Sequence, residues 1–308
     1  MSLDLNRIPE VAVLGAAAMD WIAQVQELPH PDSIVFAEHY AGMVGGTGGN
    51  VAEGIARLGH RVRFLGVLGD DENGKRLMDA FIRAEVDTSA VQVRKGEHSA
   101  ATFIARDHQG QRIIFGLGGA ALYERAEDID PLWLKGIRIL FIADAYPEPA
   151  LAAIRAMESG AKVIFNPGGL MVASGEDFLG PIVERCDALL LSREEACQLS
   201  GEADPESAAV ALSRKGRPVV LITLGSEGAL LREQAIAQRI PACQAESVVD
   251  TTGAGDAFAS GVVSGILRGF TWADAARLGC AVASIKIDHT GARGGLPDWE
   301  QVQAKLGG

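Results

Sequence analysis

Val248-Val249-Asp250-Thr251-Thr252-Gly253-Ala254-Gly255-Asp256-Ala257-Phe258 is the stretch that decides how this chain folds. The two valines predict a short strand. Phe258, Val262, Gly265 and Ile266 then share one face of an amphipathic helix that ends near Gly269. A strand, a Gly-Ala-Gly run and a helix in succession make an anion site. Small residues let backbone N–H groups approach a ligand, and the helix N-terminus adds partial positive charge. An Asp in the first turn of a helix is also an ordinary stabilising residue, so Asp256 alone says little. The whole string says more, because several glycines beside a carboxylate weaken a helix start that has no ligand to hold. A carboxylate next to a phosphate nest suits proton transfer. In phosphoryl transfer it accepts the proton of the attacking hydroxyl while the nest stabilises charge on the transferred group. The loop is not a Walker A element, since no G-x-x-x-x-G-K-[ST] occurs.

Outward from this string, short apolar runs alternate with amphipathic helices. Val11–Leu14, Arg63–Val67, Ile139–Ile142, Val163–Phe165, Ala188–Leu191 and Val219–Ile222 read as strands. Asn50–Leu58, stopped by Gly59, reads as a helix, as do Gly74–Ala84 and Pro149–Met157. Continuous β-branched and leucine runs without alternation fit a parallel sheet covered on both faces. Two stretches break the rhythm. Residues 31–44 alternate loosely, and residues 99–117 alternate better, as a hairpin turning at His108-Gln109-Gly110. They predict a small antiparallel sheet beside the α/β body, equally readable as a flap over a cleft or as an edge decoration.

The 308 residues, 48% hydrophobic, are ample for a large core. A net charge of −12 argues against nucleic acid as a partner but not against a phosphate held by backbone N–H groups. The four cysteines form no C-x-x-C pair and the six histidines no ligand-spaced cluster, so a structural zinc site is not expected. Met1–Glu10 lacks a secretory apolar stretch, and no apolar run approaches the ~20 residues needed to span a bilayer. A cytoplasmic protein without a membrane partner is the expectation. Asp70-Asp71 reads as a turn and helix cap, the cysteines as small buried hydrophobes, and Arg and Lys in helices as solvated faces. Trp21 is placed near the flap, to stack on a ligand or to pack.

A second glycine string, Gly45-Gly46-Thr47-Gly48-Gly49-Asn50, opens the helix at Val51, with Asn50 at its N-cap. It is either a ligand loop or a flexible loop with a capping asparagine. Together with Asp250–Asp256, in this order and at this separation, it resembles the two signatures of the ribokinase-like (PfkB) carbohydrate kinase family. The likeness runs from about Val11 to Leu306. In texture it is closest to the nucleoside-kinase branch, on Gly15–Asp20 with Leu28-Pro29, Phe165–Gly169 and His289–Pro297.

The resemblance implies one ribokinase-like α/β domain over residues 1–308, a three-layer fold with a mostly parallel central sheet. A discontinuous antiparallel β lid comes from about 17–44 and 98–118, and a homodimer through that lid is among the expectations. It implies ATP-dependent phosphorylation of a hydroxymethyl group of a sugar or nucleoside. Asp256 is similar to the family's catalytic base, and Gly253, Ala254 and Gly255 to its anion hole. Asp20, Gly45, Gly46 and Asn50 match the acceptor side, and Asp144 either replaces another hydroxyl-binding acid or is a strand-end turn residue. Ser192, Thr223, Gly225, Gly228 and Gly291 match the nucleotide side. Glu195 matches an acid that organises Mg²⁺ through water, and Asp250 a ligand of a monovalent cation, giving ATP, Mg²⁺ and K⁺ as cofactors.

Departures bear on the substrate. Ser192 stands where Asn is usual in the family, which implies a different metal arrangement. Ala18 stands where ribose-specific members carry Asn and Thr47 where they carry Lys, which counts against strict ribokinase activity. A kinase for a hexose, keto-deoxy sugar acid or phosphosugar is the alternative, with Arg106 and Arg112 on the hairpin aimed either at the cleft or at solvent. A catalytically silent ligand-binding module on the same fold is another. A Rossmann dehydrogenase is disfavoured, because no G-x-G-x-x-G follows the first strand.

Overall fold

The apolar runs lie side by side in one nine-stranded sheet of this computed structural model, which describes residues 8–109, 111–214 and 219–307. Met1–Arg7 and Gly110 of the expected hairpin turn lie outside the described residues. The chain opens with β1 (Val11–Leu14), β2 (Ala18–Gln24), β3 (His39–Gly45), α1 (Thr47–Arg57), β4 (Val62–Gly69), α2 (Glu72–Arg83) and β5 (Asp87–Arg94). There follow β6 (Ala101–Arg106), β7 (Arg112–Gly118), β8 (Ile139–Ala143), α3 (Pro147–Ala156), β9 (Lys162–Asn166), α4 (Gly168–Val172) and α5 (Glu176–Val183). Then come β10 (Ala188–Ser192), α6 (Arg193–Ser200), α7 (Pro205–Ser213), β11 (Val219–Thr223), β12 (Ala229–Glu233) and β13 (Ile236–Ile240). The helices α8 (Ala254–Leu267), α9 (Trp272–Lys286) and α10 (Trp299–Gly307) close the chain.

The large sheet runs β13-β12-β11-β10-β9-β8-β1-β4-β5, parallel except for the β11-β12-β13 edge. Alternate residues of each central strand enter different cores. Val11, Val13 and Phe141 pack with α1, α2, α8 and α9, while Ala12, Leu14 and Ile142 pack with α3 to α7. That double coverage is why these strands are apolar throughout. Strand order runs outward in both directions from the neighbours β1 and β8, so their carboxyl ends form the switch-point crevice where α/β sheets bind ligands. Gly15, just past β1, has no room for a Cβ, which would lie 2.3 Å from the Ala143 carbonyl oxygen.

The second sheet has the order β3-β2-β6-β7. Its outer pairs are antiparallel, whereas β2 and β6 run parallel, from Met19 opposite Ala101 to Gln24 opposite Arg106. Trp21 packs here, stacked on Tyr40 at 5.4 Å with the Arg76 guanidinium 5.6 Å from its ring. β7 is exposed along its length.

Two local expectations are corrected. Val248 and Val249 form no strand. Both are exposed, and the N–H groups of Val249 and Asp250 donate instead to the Ile287 carbonyl beyond α9, at 2.9 and 3.1 Å. Asn50 is not an N-cap. Gly46, at φ 82°, turns the chain directly from β3 into a helix that starts at Thr47, leaving Asn50 buried in its first turn. Asp71 does cap α2, accepting from the Gly74 N–H at 2.8 Å. Among the described residues no helix is long and apolar enough to cross a membrane.

Candidate active site

Two cavities meet at the N-terminus of α8, sharing Thr223, Thr251, Gly255 and Phe258 as lining. The first, about 750 Å³, is the more polar of the two. Asp144, Glu195 and Asp256 face it with Thr47, Thr102 and Asn166, and Arg112 and Ile114 of β7 border it. The second, about 510 Å³, is mostly apolar, walled by Val248, Phe258, Cys280, Ala283 and Ile287. Gly253 takes φ 76° at the N-cap of α8, and a Cβ on it would lie 2.6 Å from the Ala292 carbonyl oxygen. A Cβ on Gly255 would meet nothing within 4 Å. The first-turn N–H groups of a helix have no intrahelical acceptor, so those around Gly255 are placed to bind an anion entering the junction.

Asp256 is held by a relay of side chains. Its Oδ2 accepts from Asn50 Nδ2 at 2.7 Å, and Asn50 Oδ1 accepts from Arg293 Nε at 2.8 Å. The same guanidinium donates to the Gly45 carbonyl at 2.9 Å and pairs with Glu53 at 3.2 Å. Arg293 therefore sets which end of the Asn50 amide faces Asp256. A Cβ on Gly49 would lie 2.3 Å from an Arg293 guanidinium nitrogen, so this close approach needs glycine. Burial pushes the Asp256 carboxyl up to about 6. The Asn50 hydrogen bond and Arg293 pull against that rise, and the carboxylates of Glu195 and Asp20 add to it.

Asp144 follows β8 in the left-handed region at φ 47°, which few residues other than Gly, Asn and Asp adopt. Burial raises its carboxyl to about 7, opposed by a Thr47 hydrogen bond and reinforced by Asp256 and Glu195. A Cβ on Gly168 would lie 2.0 Å from Asp144 Oδ1, so glycine there leaves space for the carboxylate. Asp20 does not border the cavity but reaches it through Thr102, whose hydroxyl donates to Asp20 Oδ1 at 2.6 Å. Burial raises the Asp20 carboxyl as well, against the Thr102 bond and Arg293. Gly45 lies against the Asp20 carboxylate, and Gly46 against the backbone of Ala16–Ala18.

Ser192 and Glu195 both line the polar cavity, and they also form a capping box. Glu195 Oε2 accepts from the Ser192 N–H at 2.8 Å, and Ser192 Oγ accepts from the Glu195 N–H at 3.2 Å. S-x-x-E is the sequence signature of such a box, a signal that sequence reasoning missed. Thr223, Gly225 and Gly228, which the resemblance matches to the nucleotide side, line the apolar cavity. Gly291 does not. Its N–H donates to Asp250 Oδ2 at 2.8 Å and its open face meets Met43, so residues between Ala242 and Val248 and along α9 form that wall instead.

The monovalent-cation role expected of Asp250 does not fit these residues. Both its carboxylate oxygens accept backbone N–H groups, Oδ1 from Thr252 at 2.9 Å and Oδ2 from Gly291 at 2.8 Å. Its carbonyl accepts from Lys286 Nζ at 2.9 Å, and the same ammonium reaches the His289 carbonyl at 3.4 Å. Lys286 is fully buried, contrary to the solvated face expected of helical lysines. It and Arg293 are the site residues that sequence reasoning missed. Arg293 had a signal: it lies within the glycine-rich 289–297 segment, where no helical face exists to solvate it. Lys286, last in α9, looks in sequence like any cation at a helix C-terminus.

An anion-binding helix start, a carboxylate beside it and twin cavities at a switch point define a phosphoryl-transfer class of protein. The family described as pfkB family carbohydrate kinase matches residues 9–299, and the chain belongs to it. It is 28% identical to a ribokinase of Lactococcus lactis, covering 96% of this chain and 97% of that protein. It is 25% identical to a nucleoside kinase of Methanocaldococcus jannaschii, covering 98% of each. The structure of Arabidopsis thaliana ribokinase complexed with ribose and ATP superposes with a TM-score of 0.87 at 25% identity, covering 97% of this chain and 99% of that one.

Proposed function

We propose that this kinase transfers the γ-phosphoryl group of ATP to a hydroxymethyl group of a sugar or nucleoside, with Asp256 as general base. The observation that carries the proposal is the position of Asp256 at the junction of the two cavities, hydrogen-bonded by Asn50 beside the open backbone of Gly255. The adenine fits the apolar cavity between Val248 and the α9 residues Ala283 and Cys280. Its phosphates then point at the 253–255 backbone. The acceptor fits the polar cavity, where Asp144, Asn166 and Thr102 offer hydroxyl partners and Asp20, Gly45 and Gly46 back them. With a pKa of about 6, Asp256 is ionised at neutral pH yet basic enough to take a hydroxyl proton. The freed oxygen attacks the γ-phosphorus, the bond to the bridging oxygen breaks, and ADP leaves with the electron pair. The Gly253 and Gly255 N–H groups stabilise the charge that develops, while the Ala254 N–H donates to the Thr251 carbonyl at 3.1 Å.

Asp256 and Glu195 raise the Asp144 carboxyl pKa across the cleft, and Glu195 that of Asp256, a donor set suited to a cation that arrives with the nucleotide. Glu195, through water, would hold Mg²⁺, which neutralises phosphate charge. Movement of β7 towards the cleft would exclude water and complete a lid. Arg112 at the cleft favours a second reading, an acceptor that carries a carboxylate or phosphate.

The test is a coupled ADP-release screen with Mg·ATP across nucleosides, pentoses, hexoses, phosphosugars and keto-deoxy sugar acids. One acceptor class should support turnover, and a preference for anionic acceptors selects the second reading. Asp256→Asn should lower kcat by ~10²-fold or more while ATP still binds. Wild-type turnover in that variant refutes the base assignment.

A further inference from the structure

We infer that the Lys286 ammonium is a built-in cation that does the work of a dissociable monovalent ion beneath the anion-binding loop, so that this kinase needs no K⁺. The inference rests on the phosphoryl-transfer role proposed for the 250–256 loop. Lysine is almost never fully buried unless paired, yet Lys286 has no exposed surface. Its Nζ donates to the carbonyls of Asp250 and His289, on the two loop segments that frame the start of α8. These segments are also joined by the Val249 and Asp250 N–H groups, which donate to the Ile287 carbonyl, and by the Asp250 carboxylate, which accepts from the Gly291 N–H. One ammonium thus satisfies carbonyl oxygens from both sides, which is what a desolvated K⁺ does.

Position follows from the helix pair. A Cβ on Gly261 of α8 would lie 2.7 Å from the Gly279 backbone of α9, so the two helices touch through small residues. They run antiparallel, which brings the C-terminal end of α9 beside the N-terminal end of α8. Lys286 therefore lies where the α9 carbonyls are partially negative and the phosphate-facing loop needs support. The charged groups around it are the carboxylates of Asp250 and Asp256, both of which favour the ammonium form against the cost of burial. A tethered ammonium loses little freedom on ordering the loop, whereas a free ion must first be captured from solution. Lys286 acts through the loop and is a positioning residue.

The experiment compares wild type, Lys286→Ala and Lys286→Met in KCl and in tetramethylammonium chloride at equal ionic strength. It measures steady-state kinetics, calorimetric ADP affinity and thermal midpoint. Wild type should be indifferent to the cation in all three. Lys286→Ala, which leaves a hole, should lose ~10-fold or more in nucleotide affinity in tetramethylammonium and regain most of it in K⁺, with a thermal midpoint that rises with K⁺ concentration. Lys286→Met fills the hole without charge and should show the loss without the rescue. Severalfold K⁺ stimulation of wild type overturns the inference, as does a Lys286→Ala protein that ignores K⁺ in affinity and thermal midpoint. If Lys286→Ala does not fold in tetramethylammonium, recovery of folding in K⁺ supports the inference and failure in both salts overturns it. Thermal midpoints need no turnover, so an enzyme silent towards every acceptor leaves this test standing.

Discussion

Replacing Asp144 by Asn should stabilise the protein, and only above acidic pH. The carboxyl titrates near 7 in the folded chain against an ordinary value of 3.8, mainly because burial disfavours its charge. Asn keeps the left-handed backbone at φ 47° and can still accept the Thr47 hydrogen bond, so the variant removes the charge and little else. Below the unfolded pKa both states carry the proton and the two proteins are equally stable. As pH rises from there through 7, the unfolded wild-type chain releases the proton first, and wild type loses stability that the variant keeps. About three pKa units correspond to ~4 kcal/mol at saturation. The carboxylate opens on a solvent-filled cleft, so roughly half of that is the safer figure. Urea unfolding without nucleotide at ~pH 5 and ~pH 8 should show the gap between variant and wild type widening by about 1–3 kcal/mol. A gap of the same size at both pH values, or a variant weaker than wild type at the higher pH, refutes the reasoning.

Two further outcomes follow from close contacts. A Cβ in Gly45→Ala would lie 2.1 Å from Asp20 Oδ2, so the displaced carboxylate should raise the acceptor KM by ~10-fold, in line with a typical overpacking cost, and leave the ATP KM unchanged. Equal effects on both substrates in steady-state kinetics would remove Asp20 from the acceptor side. Arg293→Lys keeps the charge but loses the fork that orients the Asn50 amide. The hydrogen bond that lowers the Asp256 pKa should weaken, moving the acid limb of kcat/KM from near pH 6 to higher pH. A pH profile identical to wild type contradicts the relay.

The parallel sheet was legible because strands buried on both faces must be apolar at every position, as Ile139–Ala143 and Ala188–Leu191 are. The antiparallel edge was not. β13 is exposed at Ile236–Arg239, and its residues carry no pattern strong enough to mark a strand. At the site, glycine strings reported where backbone segments come close together, as Gly253 does to Ala292 and Gly46 to Ala16–Ala18 at the start of α1. Side chains that arrive from distant segments left no trace. Arg293 meets Asn50 across 243 positions of chain, and Lys286 meets Asp250 across 36. The valines before Asp250 misled for a related reason. β-branched residues fit a cavity wall as well as a strand, and only the partner, here Ile287, tells which.

The parallel pairing of β2 with β6 constrains the order in which the molecule assembles. Parallel neighbours cannot be joined by a tight turn, and here α1, β4, α2 and β5 lie between them in the chain. The small sheet can therefore close only after the first third of the large sheet has brought those ends together, because loop entropy is lost before the contact forms. One of its strands, β7, is exposed along its whole length, so little buried surface holds that edge. The small sheet, whose Thr102, Arg112 and Ile114 border the cleft, is thus expected to form last and open first, so the cleft can be reached by local unfolding without disturbing the large sheet.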